Sequence, residues 1–515
     1  MSLQSLGPGF IPVEGADKIS ICHKLKFFLH NVTVEPIVFF FLIAGLMAIF
    51  TNQNLALEKS CRVNLQFNNT ICDAITSRNK SGYEKYHETE IQALVQKFEA
   101  YKSLFLGSVP VVLMVFLGTW SDRNKRRKPL IIIPLIGACI SNLLLLLNSI
   151  YFKELKMQYA WMSDVIPNSI SGSFVVFLLG VYSYVGGIGD IESKTIRIGM
   201  ISMTQTLAMS VGTFLAGLVL HWIGFIGVYA LISSVIFVSL LYCLFIVKEQ
   251  EILTPEEEED EKTDESLRDI FAAKHIKKLF KTCFRNDEVH RRKKMIILMS
   301  LLICSIGPVL GELPNIYLGV RLRFQWNEVD YSIFTSFQCI VHLIGNTFTL
   351  TVFIKYLKFR DVTLGIIATC SKITSVLIYA FAPTGMFFFV AALTEVFSSA
   401  NLIAQRAMMA KIVQPHELGQ SNSVFGICEG LTPLIFGPLY SMVYIKTLMF
   451  FPGAFYLASG FFSFIVMILY IWLYNLIKTT DKIKSKEHGQ TEAEEGLLKK
   501  NLPGDVRRSL EKIKA

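Results

Sequence analysis

The chain has 515 residues, of which 52% are hydrophobic and only 18% are charged, and its formal net charge is +9. An average soluble domain is about 25% charged, and a soluble chain of this length cannot bury so many apolar groups and still present a polar surface. The composition therefore excludes an ordinary water-soluble protein and predicts an integral membrane protein.

Twelve continuous apolar runs follow one another along the chain. Runs of about 20 apolar residues predict membrane-spanning helices, and the lack of polar and apolar alternation favours helices over a β-barrel. The runs lie at about 36–57, 100–121, 129–152, 164–189, 195–220, 224–247, 294–320, 329–354, 361–382, 385–412, 419–443 and 451–477. We therefore predict an all-α integral membrane fold with six spans in 36–247 and six in 294–477. The first span is expected to be an uncleaved anchor.

Lysine and arginine residues predict the orientation. An even number of spans places both termini on one side, where the short loops hold eleven lysines and arginines against five on the other side. The positive-inside rule then makes the N-terminal segment 1–35 and the tail 478–515 cytoplasmic. This bias accounts for most of the net charge, so nucleic-acid binding is not expected.

The loop between the first two spans, about 57–99, is then extracellular. It contains the N-glycosylation sequons of Asn68 and Asn79, which we expect to be modified, whereas the cytoplasmic sequon at Asn31 should not be. Cys61 and Cys72 lie in the same loop. They could form a disulfide in an oxidising compartment.

A polar segment, 248–293, separates the two groups of six spans on the cytoplasmic side. Its acidic run, 256–261, is typical of a disordered linker. The basic part that follows has apolar residues at helical spacing, which predicts an amphipathic helix on the inner leaflet.

The loop after the second span contains five cations and one acid. Gly118, Asp122, Arg126 and Arg127 follow a pattern that resembles the major facilitator signature, in which Gly, three residues, Asp, two residues and Gly precede a basic pair. Lys125 stands here in place of the second glycine.

The resemblance implies a cytoplasmic gate. Asp122 would meet the positive N-terminus of span eleven, and Arg126 and Arg127 would pair with Asp190 or Glu192 at the end of span four. A basic loop can also simply anchor topology, but topology alone does not explain the acid.

Five further short motifs narrow the resemblance. They lie at Glu35-Pro36, Lys194–Arg197, Gln325–Glu328, Arg406–Gly419 and Pro452-Gly453. In this order they resemble solute carrier family 46, which includes the proton-coupled folate transporter and its lysosomal and insect relatives. The resemblance implies two six-helix bundles of the major facilitator fold that rock about a site near the bilayer midplane.

Charges at membrane depth are costly and usually functional. Arg406 in span ten matches an arginine that family members use in substrate or proton handling, and a cation there suits a carboxylate or phosphate; alternatively it snorkels to the headgroups. Glu395 lies eleven residues earlier, so a continuous helix would place both on one face about 16 Å apart. Lys372 could form a structural ion pair with Glu395 or Glu429, whereas an unpaired buried glutamate could carry a proton.

Three other polar residues in the spans are candidates for the substrate or proton pathway. Glu312 lies in span seven, where Gly311 and Pro314 should break the helix and expose backbone groups, although it could be a solvated rim residue. His342 in span eight could titrate near neutral pH, although a lone intramembrane histidine more often packs. Gln205 in span five is a plausible polar contact in the cavity.

The sequence departs from the folate-transporting relatives in three places. Their acid in span five has no counterpart in Ile201–Gln205, and their span-seven histidine has none here. Gln325 replaces a cysteine of their outer loops, so a disulfide between the bundles is not expected. Folate is therefore not specified as the solute, and cyclic dinucleotides and peptidoglycan fragments stay open.

No catalytic constellation, phosphate-binding loop or metal-spaced cluster occurs, so an enzyme is not expected. We predict a secondary active transporter that moves a small, anionic organic solute by alternating access, with protons as the coupling ion and no other cofactor. The alternative is a transporter-like receptor or scaffold that signals through the central loop. The expected partners of the transporter are its solute and the lipid bilayer, and a monomer would be sufficient for transport in principle.

We expect the protein in the plasma membrane. The endosomal or lysosomal membrane is the alternative, because Glu494–Leu498 resembles an acidic dileucine sorting signal.

Overall fold

The computed structural model describes residues 33–124, 126–186, 191–249, 291–413 and 418–501, and that part of the chain contains helices and no strand. The acidic run and most of the basic stretch of the central segment, together with Asp190, lie outside the described residues. The α-helices are α1 (Glu35–Lys59), α2 (Asn69–Thr76), α3 (Lys85–Asn124), α4 (Pro129–Ile150), α5 (Met157–Ser171), α6 (Ser173–Gly186), α7 (Ile191–Phe245), α8 (Arg291–Phe324), α9 (Glu328–Phe348), α10 (Asp361–Phe381), α11 (Gly385–Thr394), α12 (Ala400–Ile412), α13 (Leu418–Thr447) and α14 (Ala454–Asn501).

Ten helical segments among the described residues are long and apolar enough to cross a membrane. Two local features separate this number from the twelve predicted spans. Gly224, with φ 63° and ψ −177°, divides α7 into two helices where spans five and six were predicted to meet, and glycine tolerates this φ because it lacks a Cβ. Span ten is interrupted after Thr394, which leaves α11 and α12 with 10 and 13 residues. The all-α membrane fold is confirmed, and twelve spans stay a prediction.

The predicted loop 57–99 is mostly helical. A π-helical turn, Ser60–Asn64, continues α1, and α3 begins at Lys85, well before the predicted start of span two. The polar residues at the start of α3 concealed its periodicity: Gln92 and Gln96, four residues apart, are both fully buried. Polar residues at this spacing share one helix face, so they belong to an interface and not to a loop.

A disulfide joins Cys61 and Cys72, whose Cα atoms are 6.0 Å apart. Next to it, Arg62 lies 3.1 Å from Glu58 and 2.5 Å from Asp73, so that α2 is fixed against the end of α1. We call this side of the helix bundle the disulfide end. The opposite side, where α1 begins, is the terminal end.

The first half of the protein, residues 33–249, packs on the second half, residues 291–501, along an apolar seam. Phe50 stacks on Tyr331 of the second half, with ring centroids 5.7 Å apart. Small residues allow helices to approach closely: a Cβ at Gly107 would lie 2.9 Å from the Leu434 nitrogen, and one at Gly217 would lie 2.2 Å from the Glu328 carbonyl oxygen.

Candidate functional site

A buried cluster of charges lies within the second half, between α8, α10 and the break after α11. The Lys372 ammonium lies 2.9 Å from Glu395 Oε1 and 3.2 Å from Glu312 Oε2. The two carboxylate side chains are 6% and 5% exposed, and that of Lys372 is 14% exposed. We call Lys372, Glu312 and Glu395 the charge cluster.

The break between α11 and α12 presents Glu395 to the cluster. The chain leaves the helix at Thr394, and the Ser371 hydroxyl of α10 donates to the freed Thr394 carbonyl at 2.5 Å. Glu395 then accepts hydrogen bonds from the Gln338 amide at 3.1 Å and the Tyr379 hydroxyl at 3.2 Å, in addition to Lys372. Helices α9 and α10 thus supply three donors to one carboxylate.

Glu312 lies in a helix that was expected to break and does not. Helix α8 is continuous for 34 residues through Pro308 and Pro314. Membrane helices tolerate proline where neighbouring groups can satisfy the backbone. The Pro314 carbonyl accepts hydrogen bonds from Gln53 and Gln96 of the first half, at 2.7 and 3.1 Å. Glu312 itself is buried among residues of the second half, and its Oε1 has no hydrogen-bond partner.

The expected relation between Arg406 and Glu395 is corrected by the same break, because the two residues do not share one helix. Arg406 instead forms an ion pair with Glu429, with Nη2 2.8 Å from Oε1. This pair is more open than the charge cluster: the side chains are 54% and 26% exposed. Of the two partners proposed for Lys372, only Glu395 contacts it.

Two uncharged candidates lie in polar surroundings. Gln205 accepts a hydrogen bond from the Tyr182 hydroxyl at 3.3 Å, and its buried amide nitrogen has no hydrogen-bond partner. His342 lies near the charge cluster, on the side of Glu395, and its Nε2 is buried without a hydrogen bond. Both side chains retain an unused polar atom.

At the terminal end, the signature loop is held by a residue that the sequence did not point to. Glu249, just after α7, accepts hydrogen bonds from the backbone amides of Arg127 at 2.7 Å and Lys128 at 3.1 Å. The Ser121 hydroxyl donates to the Arg126 carbonyl at 2.6 Å. The signal for Glu249 that the sequence offered was its position directly after a predicted span.

The structure describes few contacts for the other residues of the predicted gate. Gly118 faces Leu179, whose Cδ2 would lie 3.5 Å from an added Cβ. The side chains of Asp122 and Glu192 lie outside the described part of the structure, as does Asp190 altogether. The pairing of Arg126 and Arg127 with these acids stays a prediction.

At the disulfide end, a row of glutamines joins the two halves. The Gln92 and Gln96 amides donate to the Leu318 and Pro314 carbonyls of α8 at 3.3 and 3.1 Å. Their amide oxygens accept from hydroxyls of α13, that of Gln92 from Tyr444 at 2.8 Å and that of Gln96 from Ser441 at 3.0 Å. We call these contacts the glutamine row.

One turn before the glutamine row, Glu88 joins three parts of the protein. Its Oε1 lies 3.0 Å from Arg78 in the loop after α2 and 3.6 Å from Arg321 of the second half. The Tyr83 hydroxyl lies 3.1 Å from Glu88 and 2.9 Å from Gln325. Gln325 is the residue that replaces the cysteine of the folate-transporting relatives, so a hydrogen bond joins the two halves here. Burial and the negative charge of Glu88 raise the pKa of Tyr83, so the hydroxyl stays a donor at physiological pH.

The family follows from sequence comparison. A family model described as Major Facilitator Superfamily matches residues 103–349 and 313–510, which together make up most of the chain. The chain belongs to the Major Facilitator Superfamily.

Similar proteins of this superfamily carry names of solute carrier family 46. One is the Gallus gallus "Lysosomal proton-coupled steroid conjugate and bile acid symporter SLC46A3", 24% identical over 85% of this chain and 93% of that protein. Another is the Drosophila melanogaster "Probable peptidoglycan muropeptide transporter SLC46", 21% identical over 85% of this chain and 84% of that protein. The resemblance to family 46 is confirmed, and the relatives are transporters, not enzymes.

Solved structures show the same fold at low identity. The human organic anion transporter MFSD10 matches with a TM-score of 0.58 and 13% identity, over 85% of this chain and 97% of its own. A POT family transporter in complex with a thioalcohol-conjugated peptide matches with a TM-score of 0.55 and 14% identity, over 87% and 96%.

This major facilitator chain also contains a second, largely buried charge group that sequence reasoning missed. In the first half, the Lys102 ammonium lies 2.7 Å from Asp164 and 3.9 Å from Glu99. These residues fell at the edges of predicted spans, where charges are ordinary. The early start of α3 places Lys102 and Glu99 inside the bundle.

Proposed function

We propose that the protein is a secondary active transporter that couples protons to the movement of a small organic anion. The observation that carries the proposal is the charge cluster: Lys372 lies between Glu312 and Glu395, buried within a major facilitator fold. Ionisable groups buried in a membrane protein are costly and are retained at solute and proton pathways. An ammonium suits an anionic group, and carboxylates bind protons.

Alternating access is supported by the position of the contacts between the halves. The glutamine row and the pair of Glu88 and Arg321 connect the halves at the disulfide end. Closure at one end is one of the two states that such a transporter needs. With both termini cytoplasmic, as the positive-inside rule predicts, this state is closed towards the outside.

The names of the relatives support the coupling and widen the choice of solute. Steroid conjugates and bile acids in one name, and muropeptides in another, define a panel of probes. The word lysosomal in the first name favours the lysosomal membrane over the plasma membrane that we first expected.

The test is transport by the purified protein in liposomes under an imposed proton gradient. A bile acid, a steroid sulfate, a muropeptide, a folate and a cyclic dinucleotide serve as labelled probes. We expect at least one probe to accumulate with the gradient and to lose this accumulation when a protonophore is added. If the folded protein moves none of them and residues 248–293 capture a protein partner, the receptor alternative replaces the proposal.

A further inference from the structure

The charge cluster contains one more acid than base. Fully ionised, Lys372, Glu312 and Glu395 would carry a net charge of −1 in a site from which water is largely excluded. A buried charge without compensation is strongly unfavourable, and a carboxylate in this position is neutralised by taking up a proton. One bound proton makes the cluster neutral.

The two carboxylates differ in how well they are stabilised as anions. Glu395 accepts hydrogen bonds from Lys372, Gln338 and Tyr379, and both of its oxygens are used. Glu312 accepts one hydrogen bond, from Lys372 at 3.2 Å, and its other oxygen has none. Hydrogen bonds to the ionised form favour that form, so the geometry favours an ionised Glu395 and a protonated Glu312.

The other side chains that face Glu312 do not supply a second cation. Tyr379 of α10, Tyr440 of α13 and Tyr456 of α14 lie near it and are neutral. The Ser459 hydroxyl, also on α14, lies beside Glu312, but by geometry it donates to the Phe455 carbonyl at 3.4 Å and contacts the Tyr440 hydroxyl at 2.7 Å. His342 faces Glu395 and Lys372.

We propose that Glu312 holds the coupled proton, while Glu395 stays ionised and positions Lys372. This inference rests on the proposed function, and it assigns the coupling to one residue of the cluster. A proton from the aqueous phase forms an O–H bond on Glu312, and the same bond breaks when the proton leaves on the other side. An anionic solute then meets a neutral cluster, in which Lys372 is paired with Glu395 alone as an ion, in the protonated state and a net charge of −1 otherwise. Proton binding therefore precedes productive binding of the anion.

Infrared difference spectroscopy on the protein in liposomes tests the protonation directly, without any solute. We expect a carbonyl band of a protonated carboxylic acid at neutral pH that Glu312→Gln removes. Glu312→Asp should shift the band, because it keeps an acid and changes its surroundings, whereas Glu395→Asp should leave it in place. Asp164→Asn is the matched control for Glu312→Gln. It alters the group of Lys102, Asp164 and Glu99, which also has one more acid than base and can contribute a carbonyl band of its own, and it should leave in place the component that Glu312→Gln removes.

The proposal is overturned if neither substitution of Glu312 removes or shifts a carboxylic-acid component of the spectrum, or if Glu395→Asp moves the component assigned to Glu312. Melting temperatures identify variants that fail to fold, and either substitution of Glu312 is sufficient for the spectroscopic test.

A transport experiment tests the assignment separately. In liposomes that accumulate a bile acid, Glu312→Gln should make uptake independent of external pH. Retained pH dependence of the wild-type size would also contradict the assignment. If no probe moves but the band behaves as expected, the transport function fails and the proton site stands.

Discussion

Glu88 of the first half and Arg321 of the second half form a buried ion contact, with 3.6 Å between Oε1 and Nε and side-chain exposures of 2% and 8%. Arg321 also donates to the Tyr317 hydroxyl at 3.3 Å and to the Ile75 carbonyl at 3.5 Å. This contact spans the seam beside the glutamine row. It must separate if the disulfide end opens.

We predict that Arg321→Gln shifts the protein towards a state that is open at the disulfide end. Glu88 keeps Arg78 as a partner, so the loss is on the order of 2 kcal/mol, which corresponds to roughly a 30-fold change in population. Spin labels at Lys85 and Met449 report the opening, because the Lys85 ammonium lies 2.7 Å from the Met449 carbonyl across the seam.

Arg62→Gln is the matched control for this prediction. It removes an arginine from two ion pairs at the same end, with Glu58 and Asp73, but within the first half alone. The distance distribution should broaden to longer values in Arg321→Gln and not in Arg62→Gln. Equal distributions in both variants and the wild type would show that the contact does not hold this end closed.

The sequence predicted the helical spans and the residues of the charge cluster because each signal was local. An apolar run indicates a span by itself, and Lys372, Glu312 and Glu395 are conspicuous as charges within such runs. Their mutual contacts could not be read from spacing, because they depend on how α8, α10 and the break after α11 pack in three dimensions. The break after Thr394 was hidden for the same reason: Ser371 of another helix stabilises it.

The interface at the disulfide end was missed because its residues are polar. Gln92 and Gln96 look like a solvated loop until the Pro314 and Leu318 carbonyls and the hydroxyls of α13 are brought to them. The residue Glu249 was overlooked in the same way, since its partners are backbone amides, which have no sequence signal. Polar contacts between distant segments are therefore the part of this protein that only the structure supplies.

We predict that Asn68 and Asn79 are both glycosylated, because both are exposed at the disulfide end. The clean variants are Thr70→Ala and Ser81→Ala, which destroy the sequons without removing the asparagines. This matters because the Asn68 side chain accepts from the Thr70 amide at the N-cap of α2, and losing a cap costs about 1 kcal/mol.

The measurement is electrophoretic mobility before and after treatment with a glycosidase. Each variant should lose one step of apparent mass, and the double variant should be insensitive to the enzyme. The sequon of Asn31 serves as the control, and Thr33→Ala should change nothing. Modification at Asn31 in place of the other two would reverse the predicted orientation.

A third prediction concerns the signature loop at the terminal end. Glu249→Gln weakens the two hydrogen bonds to the amides of Arg127 and Lys128, which are charge-assisted in the wild type. At an exposed site we expect hydrogen exchange of these amides to increase by roughly fivefold, a change of about 1 kcal/mol. Asp361→Asn is the control, because it breaks the ion pair with Lys411 at the same end and should not alter exchange in the loop. Faster exchange in both variants would indicate general loosening of that end.

The exposed pair of Arg406 and Glu429 separates a binding role from a structural one. An exposed ion pair contributes about 0–1 kcal/mol to stability, so neither single substitution should change the melting temperature appreciably.

If Arg406 binds the anionic solute, Arg406→Ala should raise the KM for a transported bile acid at least tenfold, since a hydrogen bond to a charged group contributes about 1.5–3 kcal/mol. Glu429→Gln should leave KM unchanged or lower it, because the guanidinium is then released for the solute. Arg406→Lys retains the charge but loses the bidentate geometry, and an intermediate KM is expected. Equal increases in KM for Arg406→Ala and Glu429→Gln, at unchanged amounts of protein in the membrane, would assign the pair a purely structural role.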